Sequence, residues 1–222
     1  MGFNVELTAA DGHRLSTYLA EPKGKPRGGI VVIQEIFGVT RHIRTTADQY
    51  AAAGFLSVAP AMFDRVERNV DVPYSDVAKG RGYVQALKDD QVMLDVQAAL
   101  DRVSAAGKVG VVGYCWGGTL AYLTAARAKI DAAVAYYGAG IGRHITDDAD
   151  KPRAPIMFHF GDKDKSIPLP VVEQIKAAVP GGIFYIYPAE HGFNCTERAS
   201  FDPASAKLAL ERSLEFLHRY IG

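Results

Sequence analysis

The sequence predicts an α/β fold with a mostly parallel central sheet, and three observations carry that expectation. Short runs rich in β-branched and aromatic residues alternate along the chain with longer segments whose apolar residues recur at spacings of three and four. The short runs after the first two are apolar at nearly every position, as suits strands buried on both faces. At 222 residues the chain is long enough for one sizeable core, and it shows no composition break, repeat or low-complexity segment at which to divide it. One domain over residues 1–222 is therefore expected.

Taken in order, Phe3 to Thr8 and Leu15 to Ala20 alternate in polarity around Asp11-Gly12, the pattern of an antiparallel hairpin. The buried-strand runs follow at Gly29 to Ile33, Leu56 to Ala59, Val109 to Gly113, Ala132 to Tyr136, Pro155 to Phe160 and Ile183 to Tyr187. Helical spacing covers Arg41 to Ala53, Asp89 to Ala105, Gly117 to Ala128, Val171 to Val179 and Pro203 to Tyr220. Strand and helix in alternation imply βαβ crossovers, with helices on both faces of the sheet. Ligands then bind beyond the carboxyl ends of the strands, so functional residues should follow strands directly. The stretch from Pro60 to Tyr83 has no strong period and reads as a functional covering loop, with room for a short helix in part of it.

Composition narrows the class of function. Apolar residues make up 48% and charged residues 23%, an ordinary globular balance. The longest apolar runs are strand-sized, far short of a bilayer. Twenty-five basic residues offset twenty-five acidic ones, which removes the electrostatic case for nucleic acid or an anionic membrane as partner. The opening MGFNVELTAADG lacks the basic, apolar and small-residue succession of a secretory signal, so a cytoplasmic protein is expected, with Cys115 and Cys195 as thiols.

The chemistry centres on Gly113-Tyr-Cys115-Trp-Gly117, which has the spacing of G-x-S-x-G with cysteine as the nucleophile and stands between a strand and a helix. A sharp turn there needs small neighbours, and it lifts the side chain above the sheet beside a helix N-terminus. That positive end favours thiolate over thiol. The bland reading is a packed core thiol. A nucleophile elbow calls for an acid and then a histidine further along, and both follow predicted strands: Gly161-Asp-Lys-Asp164 and Glu190-His191-Gly192-Phe193. The imidazole of His191 would move the thiol proton while the carboxylate holds its tautomer. On spacing alone, Asp162 and Asp164 serve equally well as that acid. His13, His42, His144 and His218 read as ordinary surface or helix residues, and His159 as a satisfied residue of the core or near the site. No metal-ligand spacing occurs, and no metal is expected.

Directly after the strand Ile30 to Ile33 comes Gln34-Glu35-Ile36-Phe37-Gly38, the loop that can supply one oxyanion-hole amide, from Ile36, to complement that of Trp116. Losing one such donor costs about 2.7–4 kcal/mol of barrier lowering. Glu35 has two readings, an exposed loop charge or a carboxylate that manages the thiol proton.

Together, QEIFG, GYCWGG, GDKDKSIP and EHGF resemble the dienelactone hydrolase (carboxymethylenebutenolidase) family, from about residue 28 to the C-terminus. The resemblance implies a single-domain α/β-hydrolase fold. It matches Cys115 to the family nucleophile, His191 to its base and Asp164, four residues before Pro168, to its acid. Glu35 matches a glutamate that helps deprotonate the thiol. The implied reaction is cofactor-free hydrolysis of an enol-lactone, dienelactone to maleylacetate, through an acyl-enzyme in aromatic compound degradation. Its partner is a small lactone or ester, and a monomer is expected. Family members hold the substrate carboxylate with arginines, one of them four residues after the histidine. Here that position is Cys195 and the nearest arginine is Arg198, while in the covering loop Arg81 and Tyr83 are the counterparts of the family's other arginine and tyrosine at a different spacing, with Lys79 competing for the cation's place. The competing functions are a carboxylesterase or lactonase of the same family and, from another class, a redox-sensing protein that uses Cys115.

Overall fold

A computed structural model describes residues 2–222. The chain divides into two compact units, one running up to Gly110 with Ile221 and Gly222 returning to it, the other spanning Val111–Tyr220.

The first unit opens with strands β1 (Phe3–Thr8) and β2 (Arg14–Ala20), antiparallel with Phe3 opposite Leu19 and Thr8 opposite Arg14. Strand β2 pairs antiparallel with β4 (Leu56–Pro60), which pairs in parallel with β3 (Gly29–Ile33), so the order is β1-β2-β4-β3. Every residue of β3 and β4 is buried, as their unbroken apolar runs require. Helix α1 (Arg41–Ala52) packs on β4, and α3 (Asp89–Ser104) packs on β3 and β4. Gly29 admits this close packing, since a Cβ there would overlap Val103 of α3.

The long connection after β4 is pinned rather than loose. It forms a 3-10 turn over Met62–Arg65 and then helix α2 (Val77–Ala86), in the stretch that leaves room for a short helix. The guanidinium of Arg65 donates from Nε and Nη2 to the two oxygens of Asp95, both at 2.7 Å, and from Nη1 to Asp11 at 2.8 Å. Asp95 is wholly buried, and this two-pronged pairing satisfies the charge. The carboxylate of Asp76 accepts the Lys79 amide and caps α2.

The second unit carries the order β5-β6-β7-β8, with β5 (Val109–Tyr114) starting at the end of the first unit. Strands β6 (Ala132–Tyr136), β7 (Ile156–Gly161) and β8 (Ile183–Tyr187) pair in parallel, with Tyr136 beside His159 and His159 beside Tyr185. Helix α4 (Trp116–Arg127) packs on β6, and α6 (Pro203–Tyr220) packs on β6 and β7. Helix α5 (Leu169–Ala178) follows β7, and Pro at its first turn costs no internal hydrogen bond. This is the α/β architecture that the residue periods predict, with the antiparallel hairpin in place. No helix among the described residues is long and apolar enough to cross a membrane.

Candidate active site

The elbow between β5 and α4 takes the strained form its glycines permit. Cys115 sits at φ 55° and ψ −115°, a left-handed backbone that a side chain rarely adopts. Two contacts leave no room for larger neighbours: a Cβ on Gly113 would overlap the carbonyl oxygen of Gly117, and one on Gly118 would overlap that of Tyr136. The Cys115 carbonyl accepts the amides of Gly118 at 3.0 Å and Thr119 at 3.3 Å, so the thiol-bearing residue is the N-cap of α4. Its sulfur therefore stands at the positive end of a twelve-residue helix.

His191 and Asp164 converge on that sulfur. His191 Nε2 lies 3.1 Å from Cys115 Sγ, and its Nδ1 lies 2.7 Å from Asp164 Oδ2. The other oxygen of Asp164 accepts the amides of Ser166 at 2.7 Å and Ile167 at 3.2 Å, so both carboxylate oxygens are hydrogen-bonded. Asp164 is 3% exposed whereas Asp162 faces solvent, and the two aspartates that spacing leaves equal are distinguished by burial. Burial opposes a charge on His191, but the Cys115 sulfur and the Asp164 carboxylate outweigh it and raise the imidazole to about 10. The ring of Tyr137 meets the imidazole edge-on at 5.1 Å between centroids. These three side chains, all in the second unit, have the reach and order to activate a thiol, orient its proton carrier and return a proton to a leaving group.

Arg198 also belongs to this loop. Gly192, next to His191, has φ 79°, and a Cβ there would overlap the Arg198 guanidinium. The displaced arginine thus lies against the histidine loop. Cys195, which takes the position of the expected arginine, is fully buried.

The remaining motif residues lie in the first unit. Glu35 is 1% exposed, which removes its reading as an exposed loop charge. Helix α2 lies on the same loop, because Gly80 approaches the carbonyl of Ile36 so closely that a Cβ would overlap it. Lys79 and Arg81, on either side of Gly80 in this helix, are exposed. Tyr83 is buried: its ring stacks on Phe63 at 5.1 Å and its hydroxyl donates to Glu67. Glu67 is the partner that periodicity does not reveal.

With this geometry in view, the sequence profile of the dienelactone hydrolase family matches residues 15–221. The chain belongs to the dienelactone hydrolase family. It is 33% identical over 227 residues to carboxymethylenebutenolidase 1 of Cupriavidus pinatubonensis, covering 96% of this chain and 95% of that one. To the carboxymethylenebutenolidase of Pseudomonas putida it is 31% identical over 224 residues, covering 96% and 94%. Among solved structures, a provisionally assigned dienelactone hydrolase of Klebsiella pneumoniae superposes with a TM-score of 0.85 at 29% identity, over 99% of this chain and all of that one. The Pyrococcus furiosus esterase PF2001 superposes with a TM-score of 0.71 at 16% identity, over 100% of this chain and 92% of that one, a likeness of fold alone. The fold is that of the α/β-hydrolases, and family membership makes this chain a hydrolase acting on esters or lactones.

Proposed function

We propose that this dienelactone hydrolase family member is a cysteine hydrolase of enol-lactones, of the type that opens dienelactone to maleylacetate. Cys115 is its nucleophile, His191 its acid and base, and Asp164 its orienting acid. The observation that supports this reading most is the double engagement of His191, with Nε2 at the sulfur and Nδ1 at a buried, fully bonded carboxylate.

In the reaction, the Cys115 sulfur attacks the lactone carbonyl carbon, a C–S bond forms, and the carbonyl electrons move to oxygen. Collapse of that tetrahedral species breaks the C–O bond, and the imidazolium of His191 protonates the departing enolate oxygen. Water then attacks the thioester while His191 takes its proton, and the departing sulfur regenerates the thiol pair with release of the carboxylate product. A thiolate suffices because an enolate leaves readily. Each step is carried by the three side chains without a cofactor. The family resemblance further assigns Glu35 to thiol deprotonation and the amides of Ile36 and Trp116 to the oxyanion; those roles rest on the motifs. Lys79, Arg81 and Arg198 are the cations proposed to hold a substrate carboxylate, and Tyr83 is proposed to shape the covering loop that carries two of them. The enzyme is proposed to work as a monomer in the cytoplasm, where its thiols stay reduced.

The test is turnover of cis- and trans-dienelactone beside p-nitrophenyl acetate by wild type and Cys115→Ala. Loss of all turnover in the variant is expected. Equal rates in both proteins would remove Cys115 as nucleophile, and turnover of the simple ester alone would make the enzyme a carboxylesterase of another substrate. A folded wild type that turns over neither substrate, yet whose Cys115 oxidises reversibly, would favour the redox-sensing reading.

A further inference from the structure

One buried polar cluster in the second unit takes no part in the chemistry just described. Tyr136, His159 and Tyr185 are register neighbours on β6, β7 and β8, and so share one face, onto which α6 brings Arg212 and Ser213. His159 is fully buried. Its Nδ1 is 2.8 Å from the Tyr187 hydroxyl and its Nε2 is 3.0 Å from Ser213 Oγ. Its ring lies 4.4 Å from that of Tyr136, whose hydroxyl is 2.7 Å from the same Ser213 oxygen.

Proton counting gives the direction of every bond. Ser213 has one hydroxyl proton and donates it to the carbonyl of Ala209 at 2.8 Å. It must therefore accept from both Tyr136 and His159, which puts the imidazole proton on Nε2. Nδ1 then accepts from Tyr187, and the Tyr187 oxygen accepts in turn from Arg212 Nη1 at 3.2 Å. Arg212 also lies over the Tyr185 ring, 4.0 Å from its centroid. The cluster closes with every donor and acceptor of His159 used. Burial first, and the charge of Arg212 second, push His159 down to about 3, so it stays neutral and the pattern holds at neutral pH.

What makes this more than core packing is where the backbones of the same residues point. The carbonyl of Tyr136 accepts the Cys115 amide at 3.0 Å. The carbonyl of Tyr187 accepts the amides of Asp162, in the Asp164 loop, and of Ala189, in the His191 loop, both at 2.8 Å. The carbonyl of His159 accepts the amide of Tyr137, whose ring abuts His191, at 2.8 Å. Each residue of the cluster that carries a side-chain bond to His159 or Ser213 from a strand end thus holds a triad loop with its main chain.

We infer that His159 is a positioning residue, the hub of a buried network that sets the relative placement of the Cys115, Asp164 and His191 loops. The inference rests on the triad reading above. A hub of this kind acts on the chemical step rather than on substrate binding, because displacement of reacting groups by a fraction of an ångström costs rate while leaving the pocket open.

The test uses His159→Leu, His159→Gln and Tyr187→Phe, each shown to be folded by its urea unfolding curve. The readouts are steady-state hydrolysis of p-nitrophenyl acetate and the pH profile of Cys115 alkylation by iodoacetamide. His159→Leu is expected to lower kcat by about tenfold or more with KM within about twofold, and to shift the alkylation midpoint by more than about half a pH unit. His159→Gln, whose amide offers one acceptor and one donor, is expected to recover most of both. A folded His159→Leu with wild-type kcat and alkylation midpoint would overturn the inference. Should His159→Leu not fold, Tyr187→Phe removes a single oxygen and decides in its place: a fall in kcat of about threefold or more supports the hub, and no change overturns it. If Cys115→Ala still hydrolyses the ester, the triad reading fails by itself, and the alkylation midpoints still report whether His159 governs the Cys115–His191 pair.

Discussion

Gly113 and Gly117 approach so closely at the elbow that a Cβ on the first would occupy the position of the second's carbonyl oxygen. The conflict is with backbone, which cannot swing aside as a flexible side chain would. Gly113→Ala is therefore expected to destabilise the protein by more than about 3 kcal/mol in urea unfolding. Gly82→Ala, at a position where a Cβ meets nothing, should stay within about 0.5 kcal/mol of wild type. An elbow that tolerated Gly113→Ala at full stability would contradict this backbone geometry.

The carboxylate of Asp164 directs the histidine as well as charging it. With Nδ1–H donated to Asp164, Nε2 is the nitrogen left facing the sulfur, and it is there that the proton shared with Cys115 is held. An asparagine amide can donate to Nδ1 instead, which turns the ring to the other tautomer and leaves Nε2–H pointing at sulfur. Asp164→Asn is expected to lower kcat by on the order of 10²–10⁴ while keeping the fold. Asp162→Asn, exposed and outside the triad, should change kcat by less than about twofold in the same assay.

How much of this was readable beforehand follows from the range of the interactions. Strands such as Gly29–Ile33 and Ile183–Tyr187, and helix Pro203–Tyr220, declare themselves because burial imposes a local period. Helix α2 does not, because VAKGRGYVQA carries two glycines and buries only Gly80 and Tyr83; its capping and its seat against Ile36 decide it. Asp162 and Asp164 differ in burial and in the amides they meet, which spacing cannot distinguish. His159 reads from sequence as a satisfied histidine, but its partners lie 28 and 54 residues away, so only the fold reveals the network.

The cations near the motif loops should separate substrates by charge. Arg198 lies against Gly192, and Lys79 and Arg81 flank Gly80. Arg198→Ala and Arg81→Ala are each expected to raise KM for an anionic lactone by about tenfold, and for neutral p-nitrophenyl acetate by less than about twofold. Equal effects on the two substrates, measured in parallel at one ionic strength, would remove the assigned carboxylate contact.

Two buried histidines push stability in opposite directions with pH. His159 is depressed from 6.5 to about 3 by burial and by Arg212, so the unfolded chain takes up its proton first; the stability it confers is present above pH 6.5 and is lost as pH falls toward 3. His191 is raised to about 10 against its own burial by Cys115 and Asp164, so its contribution is present below pH 6.5 and is lost as pH rises through 10. A stability maximum near neutral pH follows from the pair. In urea unfolding, the advantage of wild type over His159→Gln should shrink by about 1.4 kcal/mol per pH unit between about pH 5.5 and 4.5, the value for one proton. The advantage over His191→Gln should instead shrink between about pH 7 and 10. Matching acid limbs in wild type and His159→Gln would mean that His159 takes up a proton in the folded state, at Nδ1, and the bond assigned from the Tyr187 hydroxyl to that nitrogen would then have to be reversed.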